Sequence, residues 1–394
     1  MTSLREILAS HVSSGYLPGA VGLVAGGDRV EVAAVGSAGL GDFAPMARDT
    51  VFRVASLTKP IAAAAAMLLI EEGRLGLDEP VGGWLPELAS PVVVRTPSSP
   101  VDDVVPAVRP ITVEHLLTFR AGYGFPSDFS LPAVRPLFTE LRQGPPQPQF
   151  VAEPDAWMKT LARIPLLYQP GEAWLYNACS DILGVLIARV SGRPLPEFLA
   201  ERIFEPLGMR DTGFAVPAAD LGRFTGYYRG GGPGGEGGQG GQGGQGGLEL
   251  VDAPDGQWSR MPAFPSAAGG LVSTVDDLYA FGRMLLAGGA VDGRRVLSAE
   301  SVRRMTVDRL TAGQRAAGAP FLEGQGWGFG GSVDVERLNP WNEPGRYGWI
   351  GGTGTASHIV PATGRVTVLL TQRELAGPTS PALMREFWRY AAAA

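Results

Sequence analysis

The sequence predicts an α/β protein in which sheet elements from both ends of the chain enclose a mainly helical middle segment. The residues that follow Ser56 form a helix that is apolar on all faces, so protein must surround it. Residues 85–219 are rich in proline and in short helical patterns, as expected for a helical subdomain inserted between sheet elements. Strand-like patterns occur at residues 19–35, 328–335, 355–360 and 365–372.

Three further elements can be placed from local patterns. Apolar residues at helical spacing predict an opening helix over residues 4–11. Gly27 and Asp28 divide the first strand-like segment and predict a hairpin turn. A closing helix is expected over residues 381–392. Residues 230–247 contain 13 glycines in 18 positions, which predicts a flexible surface loop, with a mobile lid over an active site as the alternative.

Composition excludes several classes of protein. With 394 residues, 45% of them hydrophobic and 18% charged, the chain can bury a core and is not disordered as a whole. The net charge is −6, and no block of basic residues occurs, so we expect no nucleic-acid partner. Two glycine-rich stretches, 230–247 and 326–331, match dinucleotide-binding spacing but lack the strand–turn–helix context, so no such cofactor is expected.

The cysteine, histidine and hydropathy patterns argue against a disulfide, a metal site, a signal peptide and a membrane span. Cys179 is the single cysteine, so an intramolecular disulfide is impossible. The three histidines lie far apart in sequence, outside any metal-binding motif, and no metal is expected. Charged residues interrupt positions 1–15, where a signal peptide would be apolar, which favours the cytoplasm. The longest apolar run, 61–70, is half the roughly 20 residues of a membrane span.

The strongest chemical signal is a serine three residues before a lysine. Ser56 and Lys59 begin the apolar helix and lie about one turn apart on one face, within hydrogen-bonding reach. A lysine whose pKa is lowered by burial can accept the serine proton, whereas arginine stays protonated. Only two of the 33 basic residues are lysines, so the choice of lysine here is informative. The competing interpretation is a capping serine followed by a surface lysine.

Several ordered segments together resemble the serine β-lactamase and penicillin-binding-protein superfamily, in particular its class C-like branch and the family VIII carboxylesterases. The resemblance implies a β-lactamase/transpeptidase-like fold, with an antiparallel sheet flanked by helices and a mainly helical subdomain. It implies one catalytic domain over 1–394, in which 1–84 and 260–394 form the sheet part and 85–259 the helical part, including the glycine-rich loop. The segments that carry it are 55–60, 111–122, 169–184, 269–286 and 349–355.

The resemblance assigns catalytic roles to Ser56, Lys59 and Tyr176. Tyr176 follows the Pro-Gly-Glu segment at the position where the family has a second basic group. A phenol works as a base only if a nearby ammonium stabilises the phenolate, and Lys59 would supply that charge. Whether Lys59 or Tyr176 takes the serine proton stays open, because the two would titrate as a coupled pair.

The family's lysine-threonine-glycine strand is replaced here by Trp349, Ile350 and Gly351. A tryptophan cannot bind a carboxylate by charge, so this departure is similar to the esterase branch rather than to enzymes that recognise β-lactam acids. By position, the backbone N–H groups of Ser56 and Gly352 would form the oxyanion hole. Trp349, Ile350, Gly351 and an aromatic residue, Tyr123, are the expected substrate contacts.

The two residues that directly follow Tyr176 differ from the family pattern. Asn177 stands one place before the expected asparagine, and Ala178 occupies the amide position, which argues against efficient lactam turnover. Asp181 is expected in the first turn of a helix, where a carboxylate favours the helix dipole.

The sequence therefore predicts a serine hydrolase that works through an acyl-enzyme without metal or cofactor, most simply a carboxylesterase for small or short-chain esters. The expected partner is a small-molecule ester. The alternatives are a β-lactamase, a D-amino-acid peptidase or amidase, or an acyltransferase of the same fold. A non-catalytic, penicillin-binding-like sensor is a further alternative from a different functional class.

Overall fold

A computed structural model describes residues 2–41, 43–231 and 247–394. Most of the predicted glycine-rich loop, 232–246, lies outside the described residues. The strands are β1 (Gly19–Gly26), β2 (Arg29–Gly36), β3 (Phe52–Arg53), β4 (Val92–Val94), β5 (Val104–Pro106), β6 (Tyr227–Gly230), β7 (Leu248–Asp252), β8 (Val272–Ser273), β9 (Ala290–Val291), β10 (Arg294–Arg295), β11 (Gly326–Trp327), β12 (Ser332–Val333), β13 (Tyr347–Gly351), β14 (Thr355–Val360) and β15 (Arg365–Thr371).

The α-helices carry most of the middle of the chain and cover the sheet. They are α1 (Leu4–Ser13), α2 (Thr58–Glu71), α3 (Val113–Leu117), α4 (Arg135–Thr139), α5 (Pro154–Leu161), α6 (Ala178–Ser191), α7 (Leu195–Leu199), α8 (Glu205–Leu207), α9 (Val275–Leu286), α10 (Ala299–Met305), α11 (Ala312–Ala317), α12 (Ala319–Leu322) and α13 (Ala382–Ala393). None of the helices in the described part of the chain is long and apolar enough to cross a membrane.

The main sheet is antiparallel and has seven strands in the order β11-β12-β13-β14-β15-β1-β2. Its strands come from the two ends of the chain, and β1 pairs with β15 with Leu23 opposite Val368. Gly26 faces Arg29 across the β1–β2 turn, so the predicted hairpin is confirmed. The α/β fold class with an antiparallel sheet and flanking helices is therefore confirmed, whereas the subdomain boundaries at 85 and 260 stay a prediction.

One predicted strand is wrong in extent. Residues 328–331 turn instead of extending, and only β12, at 332–333, pairs with its neighbours. Gly330 adopts a φ of 71°, and a Cβ atom there would lie 2.6 Å from the carbonyl oxygen of Lys59. The turn therefore packs its backbone directly against the start of α2, which a side chain would prevent.

Helices cover both faces of the sheet. On one face, α1 and α13 pack over a cluster that includes Leu8, Leu369 and Phe387. On the other face, α9 lies against β14 and β15, and α2 lies in the large core behind it. Every residue of α2 from 58 to 69 is buried, as predicted for a helix that is apolar on all sides. The small side chains of the alanines at 62–66 allow α2 to pack closely against α6.

A buried ion pair anchors the chain just before α2. Arg53 and Asp252 side chains are 2% and 7% exposed, and Nη2 of Arg53 lies 2.5 Å from Oδ2 of Asp252. The guanidinium also donates to the carbonyl oxygens of Thr225 and Ala253. Phe224 stacks against it, with the guanidinium carbon 4.0 Å from the ring centroid. This cluster fixes β3, which leads directly into the turn that carries Ser56.

We expect Arg53→Ala to lower the free energy of unfolding by about 3 to 5 kcal/mol, because the buried carboxylate of Asp252 would lose its counter-charge. Urea unfolding followed by circular dichroism measures the change. The matched control is Arg29→Ala, which removes an exposed pair with Glu31 and should cost less than about 1 kcal/mol. Equal losses in the two variants would contradict the anchoring role.

Candidate active site

Ser56 lies on a tight turn between β3 and α2, in the 3-10 helix Ala55–Leu57. Ala55 has a φ of +44°, a conformation that non-glycine residues rarely adopt. The backbone on both sides is held in place, since Val54 N–H donates to the Leu271 carbonyl at 3.0 Å and Thr58 Oγ1 donates to the Ala55 carbonyl at 2.7 Å. The strained turn presents the Ser56 side chain to a cavity.

The structure brings the three predicted catalytic side chains together. Lys59 Nζ lies 2.9 Å from Ser56 Oγ, and the Tyr176 hydroxyl lies 2.8 Å from the same oxygen. The ammonium nitrogen is 4.7 Å from the centroid of the Tyr176 ring. Two groups that can move protons therefore flank the serine oxygen.

Lys59 is fully buried at the start of α2. Besides Ser56, its Nζ atom donates to Asn177 Oδ1 at 2.8 Å and to the Ala268 carbonyl at 2.5 Å. Burial lowers the pKa of Lys59 to about 7, and the nearby charge of Asp181 opposes this shift. The amine is thus partly neutral at neutral pH, and its lone pair can then accept the proton of the Ser56 hydroxyl.

Tyr176 is held by two backbone hydrogen bonds to Phe125, of 2.8 and 2.9 Å. Burial raises the pKa of Tyr176 to about 12, while the hydrogen bonds with Ser56 and Trp349 oppose the rise. A phenol with this pKa is protonated at neutral pH and serves as a hydrogen-bond donor to Ser56. The two shifts together favour Lys59 as the first proton acceptor and Tyr176 as the group that relays a proton.

Trp349 on β13 contacts Tyr176 directly, which the sequence did not reveal. Its indole Nε1 donates to the Tyr176 hydroxyl at 2.8 Å. The side chain is 3% exposed and also lines the cavity. At this position an uncharged donor therefore orients the tyrosine, and the indole brings no cation to the pocket.

Asn177, which stands one place before the asparagine of the family pattern, contacts Lys59. Its φ of +84° turns the amide towards Lys59, so that Oδ1 accepts from Nζ. The other end of the amide donates to Oε1 of Gln143 at 2.7 Å. An asparagine directly after the tyrosine reaches the lysine because the backbone takes a conformation that propensity disfavours.

Asp181 lies in the first turn of α6, as expected, but its carboxylate points into the site rather than to solvent. It is 3% exposed and accepts hydrogen bonds from Ser266 Oγ at 2.7 Å, Ala268 N–H at 3.0 Å and Gln143 Nε2 at 2.6 Å. Burial raises the pKa of Asp181, and these hydrogen bonds oppose the rise. Asp181 therefore fixes the turn whose Ala268 carbonyl accepts from Lys59.

The serine opens into a cavity of about 330 Å³, and much of its lining is apolar. This volume is at the lower end of the range for small-molecule sites. The aromatic and aliphatic side chains that line it include Phe125, Phe129, Phe138, Leu141, Val151, Phe264, Phe321 and Leu375. Phe125 and Phe138 stack with ring centroids 4.6 Å apart. An uncharged acyl or alkoxy group fits such a lining.

Three of the remaining predicted site residues line the cavity or lie against the Ser56 turn, and the fourth, Tyr123, does not. Ile350 and Gly352 line the cavity, and Gly351 packs against the serine turn, where a Cβ atom would lie 2.5 Å from the Val54 carbonyl oxygen. The backbone of β13 thus approaches Ser56 closely. Tyr123 is a correction: it is not among the lining residues, because its buried hydroxyl donates to the Ile164 carbonyl at 3.2 Å.

The comparisons agree with this geometry. A family model described as Beta-lactamase matches residues 4–386. The chain belongs to the Beta-lactamase family. Protein Rv1367c of Mycobacterium tuberculosis is 38% identical over 379 residues, which cover 94% of this chain and 88% of that protein. Esterase EstB of Burkholderia gladioli is 30% identical and is matched over 86% of this chain and 81% of its own length.

A solved structure of the same fold is that of EstCE1, described as a hydrolase with promiscuous acyltransferase activity. It is 25% identical, has a TM-score of 0.76, and is matched over 98% of this chain and 97% of its own. The structure of unliganded simvastatin synthase from Aspergillus terreus, at 22% identity and a TM-score of 0.76, supports the fold. The chain is therefore a serine hydrolase of the Beta-lactamase family, with esterases among its relatives.

If neutral Lys59 accepts the serine proton, modification of Ser56 by a fluorophosphonate should accelerate between about pH 6 and pH 8, with a midpoint near the pKa of about 7. Asp181→Asn removes a charge that raises the pKa of Lys59, so the midpoint should move to lower pH. Labelling reactions quenched at set times and analysed by intact-protein mass spectrometry give the pH profile of the labelling rate for both proteins. A rate independent of pH over this interval would exclude Lys59 as the base.

Substitution of Tyr176 should lower kcat/KM much more than substitution of Trp349. Tyr176→Phe removes a proton-transfer group and should lower kcat/KM about 100- to 10,000-fold. Trp349→Phe removes one neutral hydrogen bond to the phenol, a net effect of about 1 kcal/mol, and should lower kcat/KM about fivefold. Steady-state kinetics with p-nitrophenyl butyrate measure both. A larger loss in Trp349→Phe than in Tyr176→Phe would refute this ranking.

Proposed function

We propose that the protein is a serine carboxylesterase for small or short-chain esters. The observation that carries the proposal is the position of Ser56 Oγ, within 2.9 Å of both Lys59 Nζ and the Tyr176 hydroxyl, at the wall of a largely apolar cavity. A serine next to a group that can accept its proton and a group that can donate one is able to carry out acyl transfer. The name of the relative EstB, an esterase, supports the same reaction class.

The proposed reaction has two half-reactions. Ser56 Oγ attacks the ester carbonyl carbon while Lys59 accepts its proton, and the carbonyl oxygen becomes an oxyanion. The N–H groups of Ser56 and Gly352 would stabilise that charge. The C–O bond to the alkoxy group then breaks, Tyr176 donates its proton to the leaving alcohol, and the Lys59 ammonium returns the serine proton to Tyr176. Water adds to the acyl-enzyme by the reverse sequence, which releases the acid and restores Ser56.

The lining of the cavity supports an uncharged substrate of modest size. Arg142 is the cationic residue among the lining residues of the described chain, and it lies at an exposed position. Trp349 occupies the place where lactam-binding members of the family carry a lysine. A β-lactam carboxylate thus finds no lysine at position 349, and the ammonium of Lys59 is already hydrogen-bonded to Ser56, Asn177 and Ala268. Cys179 is a buried free thiol, which fits the cytoplasmic location that we also propose.

Acyl transfer to an alcohol is the second candidate, and the description of EstCE1 favours it. The chemistry to the acyl-enzyme is the same, and an alcohol then takes the place of water. An apolar lining disfavours water relative to an alcohol with an alkyl chain. Adding butanol to the esterase assay and measuring butyl butyrate by gas chromatography tests this candidate. Ester formation that stays proportional to the uncatalysed background would reject it.

Mixing the protein with p-nitrophenyl butyrate should give a transient butyryl adduct together with sustained release of p-nitrophenol. Intact-protein mass spectrometry and absorbance measure the two quantities on one sample. Ser56→Ala should lose both, because no other group would carry the acyl chain. Absence of adduct and of turnover in the unsubstituted protein would contradict the proposal.

A second serine in the cavity supplies a matched control. Ser266 lines the same cavity, and its hydroxyl donates to Asp181. Ser266→Ala should therefore still form the adduct, although turnover falls because the Asp181 carboxylate loses a hydrogen bond. If Ser266→Ala removed the adduct while Ser56→Ala kept it, the nucleophile would be misassigned.

A further inference from the structure

A second, smaller cavity lies behind β13. Its volume is about 80 Å³, well above the roughly 10 to 15 Å³ that one water requires. Phe321, Trp349 and Ile350 line both this cavity and the active-site cavity, so these three side chains separate the two. Its polar lining residues are Glu323, Gln325, Asn339, Asn342, Arg346, His358, Ser380 and Arg385.

Arg346 is the unusual member of this lining. The residue is 3% exposed. In the described part of the chain, its Nη2 atom has no hydrogen-bond partner, and Nη1 comes only to 3.6 Å from the carboxylate of Asp334. Asp334 instead accepts shorter hydrogen bonds from Gln325 and from the Glu343 N–H group. A buried guanidinium with five N–H donors is therefore left without a short acceptor.

Two neighbouring side chains show the same deficit. His358 Nδ1 and Trp388 Nε1 are buried and lack partners among the described residues, and both residues line this cavity. The rings pack edge to face at 5.4 Å, and the Arg346 guanidinium lies 4.9 Å from the Trp388 ring. Unpartnered buried polar groups of this kind destabilise a protein unless a ligand or a solvent molecule hydrogen-bonds to them.

The second arginine of the lining is already paired. Arg385 Nη2 lies 2.5 Å from Glu323 Oε1, and Ser380 donates to the other oxygen of that carboxylate at 2.7 Å. The lining thus contains two arginines and one glutamate, and Arg346 is the arginine whose Nη2 atom has no hydrogen-bond partner among the described residues. Asp334 forms a buried ion pair with Arg346 at 3.6 Å, which offsets the charge but leaves the Nη2 atom without an acceptor among the described residues.

We propose that this cavity binds a small carboxylate, with Arg346 as the group that recognises it. A carboxylate is planar and accepts two parallel N–H bonds from one guanidinium, which matches the donors left free here. The cavity is too small for a large ligand but accommodates an anion of the size of acetate. This inference goes beyond the proposed function, since binding at Arg346 involves neither Ser56 nor an acyl-enzyme.

The carboxylate has two chemical sources. Ester hydrolysis releases a free acid next to the wall formed by Phe321, Trp349 and Ile350. Alternatively, the ester itself carries a carboxylate that reaches past this wall while its carbonyl lies at Ser56. The recognition chemistry is the same in both cases, and kinetics distinguish the sources.

Binding is tested first without any ester. Sodium acetate should quench the tryptophan fluorescence of the full-length protein in a saturable manner, because Trp341, Trp349 and Trp388 line the cavity. Sodium chloride at equal ionic strength and the neutral isostere acetamide should not. Absence of saturable quenching by acetate, or equal quenching by acetamide, would overturn the proposal in the unsubstituted protein, independently of any activity at Ser56.

Variants then locate the site. The double variant Asp334→Asn with Arg346→Met removes the recognising charge together with its buried counter-charge, so that neither is left alone. It should lose acetate binding while circular dichroism shows a folded protein. The matched control is Arg142→Met, which removes the cation of the active-site cavity and should keep acetate binding. The reverse pattern would assign acetate to the active-site cavity and refute the proposal.

Two kinetic comparisons identify the source. If the ester carries the carboxylate, the double variant should lower kcat/KM for p-nitrophenyl hemisuccinate at least tenfold and leave p-nitrophenyl butyrate unchanged. If the ligand is the released acid, acetate should inhibit butyrate turnover in the unsubstituted protein but not in the double variant. Either result supports the site. Acetate inhibition of the same size in both proteins would place the anion elsewhere.

Discussion

The burial of one lysine constrains the rest of the site. Lys59 has no contact with bulk water, so its nitrogen must find hydrogen-bond acceptors among the protein groups around it. Asn177, Ala268 and Ser56 provide those acceptors, and Asp181 and Gln143 hold two of the three in place. Burial also brings the pKa of Lys59 close to neutrality. In the proposed reaction, burial is therefore what makes Lys59 available as the proton acceptor.

The tyrosine completes this arrangement through a second buried contact. Trp349 donates to the Tyr176 hydroxyl and leaves its proton directed towards Ser56. A lysine at position 349 would place a second cation beside Lys59 and would lower the pKa of Tyr176. With an indole instead, the phenol stays neutral, and the cavity wall next to the serine stays uncharged. The choice of tryptophan rather than lysine at position 349 thus bears both on the protonation of Tyr176 and on which substrates fit the cavity.

The sequence was informative where chemistry depends on local spacing. Ser56 and Lys59 are one helical turn apart, and the hairpin at Gly27 and Asp28 depends on two adjacent residues, so both could be predicted. Tyr176 could be placed only through ordered family motifs, because 120 residues separate it from Ser56.

The errors arose where the backbone takes an uncommon conformation or where distant loops meet. Asn177 reaches Lys59 because of its positive φ, and nothing in the residue order signals that conformation. Gln143 comes from a proline-rich loop 34 residues before Asn177. Tyr123 was misplaced because aromatic residues next to a motif do not reveal which side they face. The turn at 328–331 replaced a strand because Gly330 packs against α2.

The pairing of β1 with β15 has a consequence for biosynthesis. Strands from residues 19–26 and 365–371 lie side by side, and β15 separates β1 from β14 in the sheet order. During translation, the hairpin of β1 and β2 is made early, but one edge of β1 stays unpaired until residues 365–371 have been made. β13, which completes the wall beside Ser56, reaches the sheet only through β14 and β15. The sheet beside Ser56 therefore cannot form before residues 365–371 have been made, and until then the free edge of β1 is open to pairing with other chains.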